Sequence, residues 1–167
     1  RCTQHLTQKP MANNAFDESL QLFFIVSLPR SGSTLVEQIL ASHPDVDASY
    51  ELTEINAIAR ELESKKLSDV PYGLDKLSEQ EKAHYAARYL NFIAPLRGKN
   101  KVFIDKQPAN FHHIALIKTL FPNAKILEVT RDKAATAWSL YKHSFSEGHA
   151  YSYDFKSLAQ YINDYAD

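Results

Sequence analysis

The segment SLPRSGST, residues 27–34, brings together one cation and several hydroxyl groups. An apolar run precedes it and a helical pattern follows it, which predicts a loop that ends at a helix N-terminus. Such a loop gathers unpaired backbone N–H groups and the positive end of a helix dipole around one point. Arg30 adds a planar guanidinium, and Ser31, Ser33 and Thr34 add hydroxyl donors. The segment is therefore predicted to bind an oxyanion such as phosphate or sulfate.

Two plainer interpretations of this loop stay open at the level of sequence. Ser31 or Ser33 could be an ordinary helix N-cap, with Arg30 in solvent. The loop could also be a divergent nucleoside-triphosphate site, although it does not meet the Walker A pattern G-x-x-x-x-G-K-[ST]. Ser27 stands in the position of its first glycine and Ser33 in that of its lysine. The loop therefore favours a terminal phosphate with fewer charges beyond it.

The elements that must position this loop alternate between strands and helices. Short apolar runs predict strands at residues 22–26, 46–48, 101–105 and 124–130. Helical spacing predicts one helix after residue 34, one that begins at the capping box of residues 78–81, and others at 51–63, 111–120, 134–143 and 154–165. This alternation predicts an α/β, P-loop-like three-layer fold, in which helices flank both faces of a mainly parallel sheet.

Apolar and aromatic side chains mark the expected inner faces. Leu35, Ile39 and Leu40 recur at helical spacing, and Tyr85, Tyr89 and Phe92 are predicted to face inward. A further aromatic cluster could stack an adenine or an acceptor, but packing in the core is the favoured interpretation; its members are Tyr141, Phe145, Tyr151, Tyr153 and Phe155.

Composition limits the classes of function. The chain has 167 residues, 44% hydrophobic residues and a formal net charge of −1, which fits one ordinary globular domain at residues 21–167 after a polar linker or arm at residues 1–20. A near-neutral chain is not expected to bind nucleic acid or membrane surfaces generally, and no apolar run reaches the ~20 residues of a membrane span.

A single cysteine, Cys2, fits a reducing compartment, so a cytoplasmic location is expected. The seven histidines lack zinc-site spacing, so no metal is expected.

The stretch PRSGSTLVEQILASHPDV, which begins at Pro29, resembles the 5′-phosphate-binding loop of sulfotransferases that use 3′-phosphoadenosine 5′-phosphosulfate (PAPS). It resembles in particular the bacterial branch allied with tyrosylprotein sulfotransferases. Three further stretches match in the same order, namely Tyr50-Glu51-Leu52, Ile104-Asp105-Lys106-Gln107-Pro108, and Val129-Thr130-Arg131-Asp132 followed by Ser139. Together the four motifs cover most of the chain, from Phe23 to about Tyr153.

The resemblance implies a role for each matched residue. Glu51, which follows Arg30 by 21 residues, would be the general base, and Lys106 would stabilise the bridging oxygen as the sulfuryl group leaves. Arg131 and Ser139 would grip the 3′-phosphate. No metal is implied, because lysine and arginine charges replace Mg²⁺. The loop would hold the 5′-phosphosulfate, with Arg30 also acting in catalysis, through Arg30, Ser31, Gly32, Ser33 and Thr34.

Each of these residues also has a simpler interpretation. Glu51 could be a first-turn carboxylate that complements a helix dipole, and Glu54, one turn later, is a rival for the base. Lys106 could be a solvated lysine at a strand end. Arg131 could form a surface ion pair with the aspartate that follows it, and Ser139 could be an inert helix residue.

The sequence does not determine which acceptor the protein would use, and it matches only part of the family's domain. In tyrosylprotein sulfotransferases, basic residues after the matched glutamate hold acidic peptides, whereas this chain has Thr53 and Ala57 there. The hydroxyl acceptor is therefore left open among a small molecule, a carbohydrate and a peptide tyrosine. The family's domain continues beyond residue 167, so the domain is expected to lack its C-terminal part.

The alternative functions are a divergent P-loop nucleotide kinase or NTPase, and a non-catalytic nucleotide-binding module.

Overall fold

A computed structural model describes residues 19–65, 71–145 and 148–166 of the chain. The predicted polar arm at residues 1–20 lies outside this range except for its last two residues. The predicted domain, by contrast, falls almost entirely within the described part.

Four strands of the described chain form one parallel sheet. They are β1 (Gln21–Val26), β2 (Val46–Ser49), β3 (Val102–Lys106) and β4 (Lys125–Glu128), in the spatial order β2-β3-β1-β4. All three pairings are parallel, as expected when helices connect successive strands. The predicted α/β sheet is confirmed, although the fourth strand is shorter than residues 124–130.

Six α-helices in the described part connect and cover these strands. They are α1 (Ser33–Ala41), α2 (Glu54–Ser64), α3 (Glu79–Ile93), α4 (Ile114–Leu120), α5 (Lys133–Tyr141) and α6 (Phe155–Ala166). The predicted capping box at the start of α3 is present, because the Ser78 hydroxyl and the Glu81 carboxylate each accept from the other's backbone N–H. Asp154 caps α6 by accepting from the Ser157 N–H at 2.8 Å.

Helix boundaries differ from the prediction in two places. Residues 51–53 precede α2, which begins at Glu54. The segment predicted as a helix over 111–120 is a 3-10 helix, Pro108–His113, followed by α4. Proline at the first turn allows the chain to begin curling there.

The main hydrophobic core lies between one face of the sheet and α2, α3 and α4. Phe24 and Phe103 are fully buried there, against the aromatic rings of α3. Phe24 and Tyr89 have ring centroids 5.8 Å apart. Ile25, also fully buried, points to the opposite face because side chains alternate along a strand, and α1 contacts the sheet strands as well.

A second, smaller hydrophobic cluster holds α5 and α6 together. Its buried members are Leu28, Leu140, Leu158 and Ile162, with Phe145 and Tyr151 packed against them. Leu28 lies in the loop after β1, so this cluster attaches α5 and α6 to the loop. Of the predicted aromatic cluster, Phe145 and Tyr151 pack against this core. Tyr141, Tyr153 and Phe155 are exposed, so packing in the core is wrong for these three.

Three apolar residues expected on inner faces of helices are exposed. Phe92 of α3 is 38% exposed, while Tyr85 and Tyr89 are buried as predicted. In α1 the apolar residues Leu35 and Ile39 are 66% and 61% exposed. The residues that α1 buries are Ser33 and Glu37. The spacing of its apolar residues therefore predicts the wrong side of this helix as the buried side.

Candidate functional site

The loop between β1 and α1 contains two residues in the left-handed region of backbone conformation. Arg30 and Gly32 both have positive φ angles, 69° and 96°, which fold the backbone tightly before the helix begins. Gly32 is the N-cap of α1, and no side chain caps this end. The alternative in which Ser31 or Ser33 is an ordinary N-cap is therefore wrong. The first-turn N–H groups that lack an intrahelical acceptor remain free to bind an anion.

This loop lines a cavity of about 700 Å³ at the carboxyl ends of the strands, the edge where ligands bind in parallel α/β sheets. Its size lies in the range of small-molecule sites, about 300–1,000 Å³. The wall combines the loop, the segments after β2 and β3, the loop after β4 and the connection between α5 and α6. It includes Pro29–Thr34, Glu51, Gln107, Arg131, His143, Phe145 and His149.

Three of the predicted phosphate-binding residues meet at one end of the loop. The Arg30 Nε–H donates to the Ser139 hydroxyl at 3.3 Å, and an Arg131 guanidinium nitrogen donates to the Arg30 carbonyl at 3.3 Å. These residues are far apart in sequence, and the order of β1 and β4 in the sheet brings them together. Asp132 does not pair with Arg131; it caps α5 by accepting from the Ala135 N–H at 2.8 Å.

Glu51 and Lys106 form an ion pair below the loop. Lys106 Nζ donates to Glu51 Oε1 at 3.0 Å. The Lys106 side chain, at the end of β3, is 5% exposed, whereas that of Glu51 is 58% exposed and lines the cavity. The alternative of a solvated strand-end lysine is therefore wrong, and so is a first-turn position for Glu51, which precedes α2.

Glu54, the rival for the base, has a different environment. It lies in the first turn of α2 and is nearly buried. Its carboxylate accepts from Arg88 Nε at 2.6 Å, and Arg88 also donates to Glu61 at 2.6 Å. This network joins α2 to α3, and Glu54 does not line the cavity.

Two further carboxyl groups are buried and interact electrostatically with Lys106, and sequence reasoning assigned neither to the site. Asp105 is 1% exposed and accepts from the Tyr89 hydroxyl at 2.8 Å. Burial raises the pKa of Asp105 to about 7, against the opposing effects of Tyr89 and Lys106. Burial also raises the pKa of Glu37, an effect that the Lys106 charge opposes and the Glu51 charge reinforces.

The cavity includes other polar residues that the sequence did not single out. Gln107 donates from its side-chain amide to the Leu52 carbonyl at 3.3 Å, which ties the segment after β3 to the chain that carries Glu51. His149 contacts Phe145 with ring centroids 4.2 Å apart, and burial lowers the pKa of His149. Gln107 lies within the matching stretch of residues 104–108, directly after the strand-end lysine, but no role was predicted for it.

The donor set suits an anionic ligand. Two guanidinium groups, several hydroxyls and an uncapped helix N-terminus lie on one cavity. Among the described residues, no group of three or more histidine, cysteine or acidic residues is placed to hold a metal ion. In the same part of the chain, no helix is long and apolar enough to span a membrane.

Comparison with known proteins assigns the chain to a family. A model of the sulfotransferase family matches residues 23–167. An uncharacterised protein of Aquifex aeolicus (strain VF5) is 32% identical over 151 residues, which cover 85% of this chain and 20% of that protein. A protein-tyrosine sulfotransferase of Drosophila melanogaster is 30% identical over 148 residues, with coverages of 84% and 29%.

A human relative gives the same assignment. The protein-tyrosine sulfotransferase 1 of Homo sapiens is 29% identical over 133 residues, covering 75% of this chain and 35% of that protein. The chain thus spans between 20% and 35% of the length of these three relatives. Since the family match extends from β1 to the last residue of the chain, the protein belongs to the sulfotransferase family.

Proposed function

We propose that this protein transfers a sulfuryl group from PAPS to the hydroxyl group of an acceptor. The observation that carries the proposal is the single cavity on which Arg30, Arg131 and Glu51 all lie. Two cations for a doubly phosphorylated nucleotide thus share a space with a carboxylate that can accept a proton. A site with only the cations would suit anion binding alone.

Binding of the donor is proposed to use both ends of the loop. The uncapped start of α1 and the hydroxyls of Ser31, Ser33 and Thr34 would hold the 5′-phosphosulfate. Arg131 and Ser139 would hold the 3′-phosphate, where bidentate guanidinium contacts are strong. The hydrogen bond from Arg30 to Ser139 supports this arrangement, because it brings the two phosphate sites within reach of one nucleotide.

Transfer is proposed to depend on Glu51 and Lys106. When bound, PAPS supplies the sulfuryl group. A carboxylate is too weak a base to deprotonate a hydroxyl fully beforehand, so Glu51 would accept the acceptor's proton as the new O–S bond forms. The bond between sulfur and the bridging oxygen of the donor would break at the same time, with PAP as the leaving group, and Lys106 would place a positive charge beside that bridging oxygen as it becomes negative. The ion pair between Lys106 and Glu51 at 3.0 Å supports their action at one point.

The acceptor is proposed to be a molecule with an accessible hydroxyl group. Two named relatives are protein-tyrosine sulfotransferases, which makes a peptide tyrosine one candidate. Thr53 and Ala57 provide no positive charge near Glu51, so a strongly acidic peptide would lack cationic partners there. A small molecule or a carbohydrate therefore remains an equal candidate.

Binding of 3′-phosphoadenosine 5′-phosphate (PAP), the desulfated product, tests the proposal. At a concentration 100 times its dissociation constant, PAP is expected to raise Tm by about 5–10 °C. Arg131→Ala should remove most of this shift because it deletes the 3′-phosphate contact. Lys133→Ala, an exposed cation on α5 that does not line the cavity, is the matched control and should keep the full shift.

The same assay separates the competing functions. ATP with Mg²⁺ that stabilises the protein more than PAP does would contradict the proposal and favour a nucleotide kinase or NTPase. Stabilisation by PAP without sulfate transfer to any of a panel of phenols, sugars and tyrosine peptides would favour a nucleotide-binding module. No shift with any nucleotide would also overturn the proposal.

A further inference from the structure

Gln107 lines the candidate cavity, and the proposed function gives it no task. It is the first residue after β3 and precedes the 3-10 helix that begins at Pro108. Its side-chain amide donates to the Leu52 carbonyl at 3.3 Å. This hydrogen bond crosses from the end of one strand to the segment that leads into α2, where Glu51 lies.

The pairing of β2 with β3 stops before it reaches Glu51. The last pair of the parallel register is Ser49 with Asp105. Residues 50–53 follow β2 and precede α2, so they belong to neither element. The backbone hydrogen bonds of the sheet therefore do not fix the position of Glu51, and other contacts must do so.

Two consecutive side chains reach across where strand pairing ends. Lys106 donates to the Glu51 carboxylate at 3.0 Å, and Gln107 donates to the backbone of the next residue, Leu52. The Leu52 side chain is buried in the main core, which anchors the segment, but hydrophobic packing has no preferred direction. A hydrogen bond is directional, so the contact from Gln107 can orient the backbone that carries Glu51.

The segment that carries Gln107 is itself fastened to the loop before α1. The Ser27 N–H, at the start of that loop, donates to the Pro108 carbonyl at 3.2 Å, and Ser27 is fully buried. The Gln107 carbonyl accepts from the Asn110 N–H at 2.9 Å, within the turn that follows. The position of Gln107 therefore follows that of the loop.

We propose that Gln107 is a positioning residue that fixes where Glu51 stands relative to the loop before α1. The loop would hold the sulfuryl donor and Glu51 would accept the proton of the acceptor hydroxyl, so this inference rests on the proposed function. A displacement of about 1 Å between reacting groups can cost about 100-fold in rate. Gln107 acts through the Leu52 backbone and does not touch the reacting atoms.

Hydrogen exchange tests the contact in the ligand-free protein. Gln107→Met nearly keeps the length of the side chain but removes the donor. The Ala57 amide, which donates to the Thr53 carbonyl at 2.9 Å at the start of α2, reports how often this end of the helix opens. Its exchange is expected to be about 2–10 times faster in the variant, because the preceding segment is held less firmly. Gln80→Met, an exposed position on α3, is the matched control and should leave this exchange unchanged.

Single-turnover kinetics test the positioning role. Gln107→Met should lower the rate of transfer about 10–100-fold and keep the Tm shift caused by PAP, because the donor site is not altered. In the Glu51→Gln background the same substitution should have no further effect, since the group that Gln107 positions has been replaced. Gln80→Met should change the rate in neither background.

The inference is overturned if Gln107→Met lowers the rate equally in the wild-type and Glu51→Gln backgrounds, since direct contact with a substrate gives that result. Loss of the PAP shift in Gln107→Met also overturns it, because Gln107 would then bind the donor. Unchanged exchange of the Ala57 amide overturns it in the free protein, where no nucleotide is needed. Absence of a PAP shift in the wild type instead overturns the proposed function, and the exchange rates then decide whether Gln107 holds this segment.

Discussion

Glu51 and Glu54 are three positions apart, yet their surroundings give them different tasks. Glu51 precedes α2 and lines the cavity, with Lys106 as its partner at 3.0 Å. Glu54 is inside the helix, and its carboxylate joins α2 to α3 through Arg88. One glutamate can therefore reach a ligand, whereas the other holds two helices together.

Paired variants separate these tasks. Glu51→Gln is expected to lower kcat about 10²–10⁴-fold, because it removes the proton acceptor, and to keep the Tm shift caused by PAP. Glu54→Gln is expected to reduce the free energy of unfolding by about 1–3 kcal/mol, because its hydrogen bond to a cation is weakened, with kcat nearly unchanged. Single-turnover rates and urea unfolding measure the two effects. Equal rate losses in both variants would contradict the assignment of the base.

At the scale of elements, the residue type in the loop before α1 is restricted at Gly32. The restriction comes from the backbone conformation of Gly32 and not from lack of space around it. A side-chain carbon added at Gly32 would meet no atom within 4 Å, yet its φ angle is +96°. The loop can hold a larger residue sterically, but only a residue that tolerates the left-handed region fits its backbone.

Substitution of Gly32 measures this requirement. Gly32→Ala is expected to reduce the free energy of unfolding by about 1–2 kcal/mol, because a Cβ disfavours a positive φ angle. Gly32→Asn should lose less, because asparagine adopts this region more readily. Tm measured with and without PAP reports both stability and ligand binding. An alanine variant as stable as the wild type would show that the loop relaxes without cost.

The grouping of the candidate site residues could largely be predicted from sequence, because the carboxyl ends of parallel strands lie at one edge of the sheet. That rule, with the motifs, predicted that Arg30, Arg131 and Lys106 would lie near one another. The orientation of α1 could not be predicted, since the spacing of Leu35 and Ile39 suggests an apolar inner face. The residues that α1 buries are instead the polar Ser33 and Glu37.

Burial of carboxyl groups was also outside the reach of sequence reasoning. Asp105 stands between the apolar Ile104 and the basic Lys106 in β3, a position that does not by itself indicate burial of the carboxyl group. Only the packing of α3 on the sheet brings Tyr89 to its carboxylate, at 2.8 Å. The pKa of Asp105, raised to about 7, is thus a property of tertiary structure.

At the scale of the whole molecule, the carboxyl group of Asp105 makes the free energy of unfolding depend on pH. The pKa of Asp105 is about 7 in the folded protein, against 3.8 for an ordinary aspartate. Between these values the folded state binds more protons than the unfolded state, so the free energy of unfolding falls as pH rises. The stabilising effect of the proton is complete below about pH 4 and is lost as pH passes 7.

Asp105→Asn isolates this effect, since an amide can still accept from Tyr89 but does not ionise. The variant's stability relative to the wild type is expected to increase by roughly 2–4 kcal/mol between pH 5 and pH 8. Urea unfolding at the two pH values gives the difference directly. A difference that does not depend on pH would show that Asp105 is not protonated in the folded protein at pH 5.

The two hydrophobic clusters meet at the loop that lines the cavity. Strand β1 packs in the main core through Leu22 and Phe24, whereas Leu28, directly after β1, packs with Leu140 and Leu158 of α5 and α6. A nucleotide that contacts both Arg30 and Arg131 would reinforce this existing connection. Local opening of either cluster at the cavity would then also require the nucleotide to dissociate.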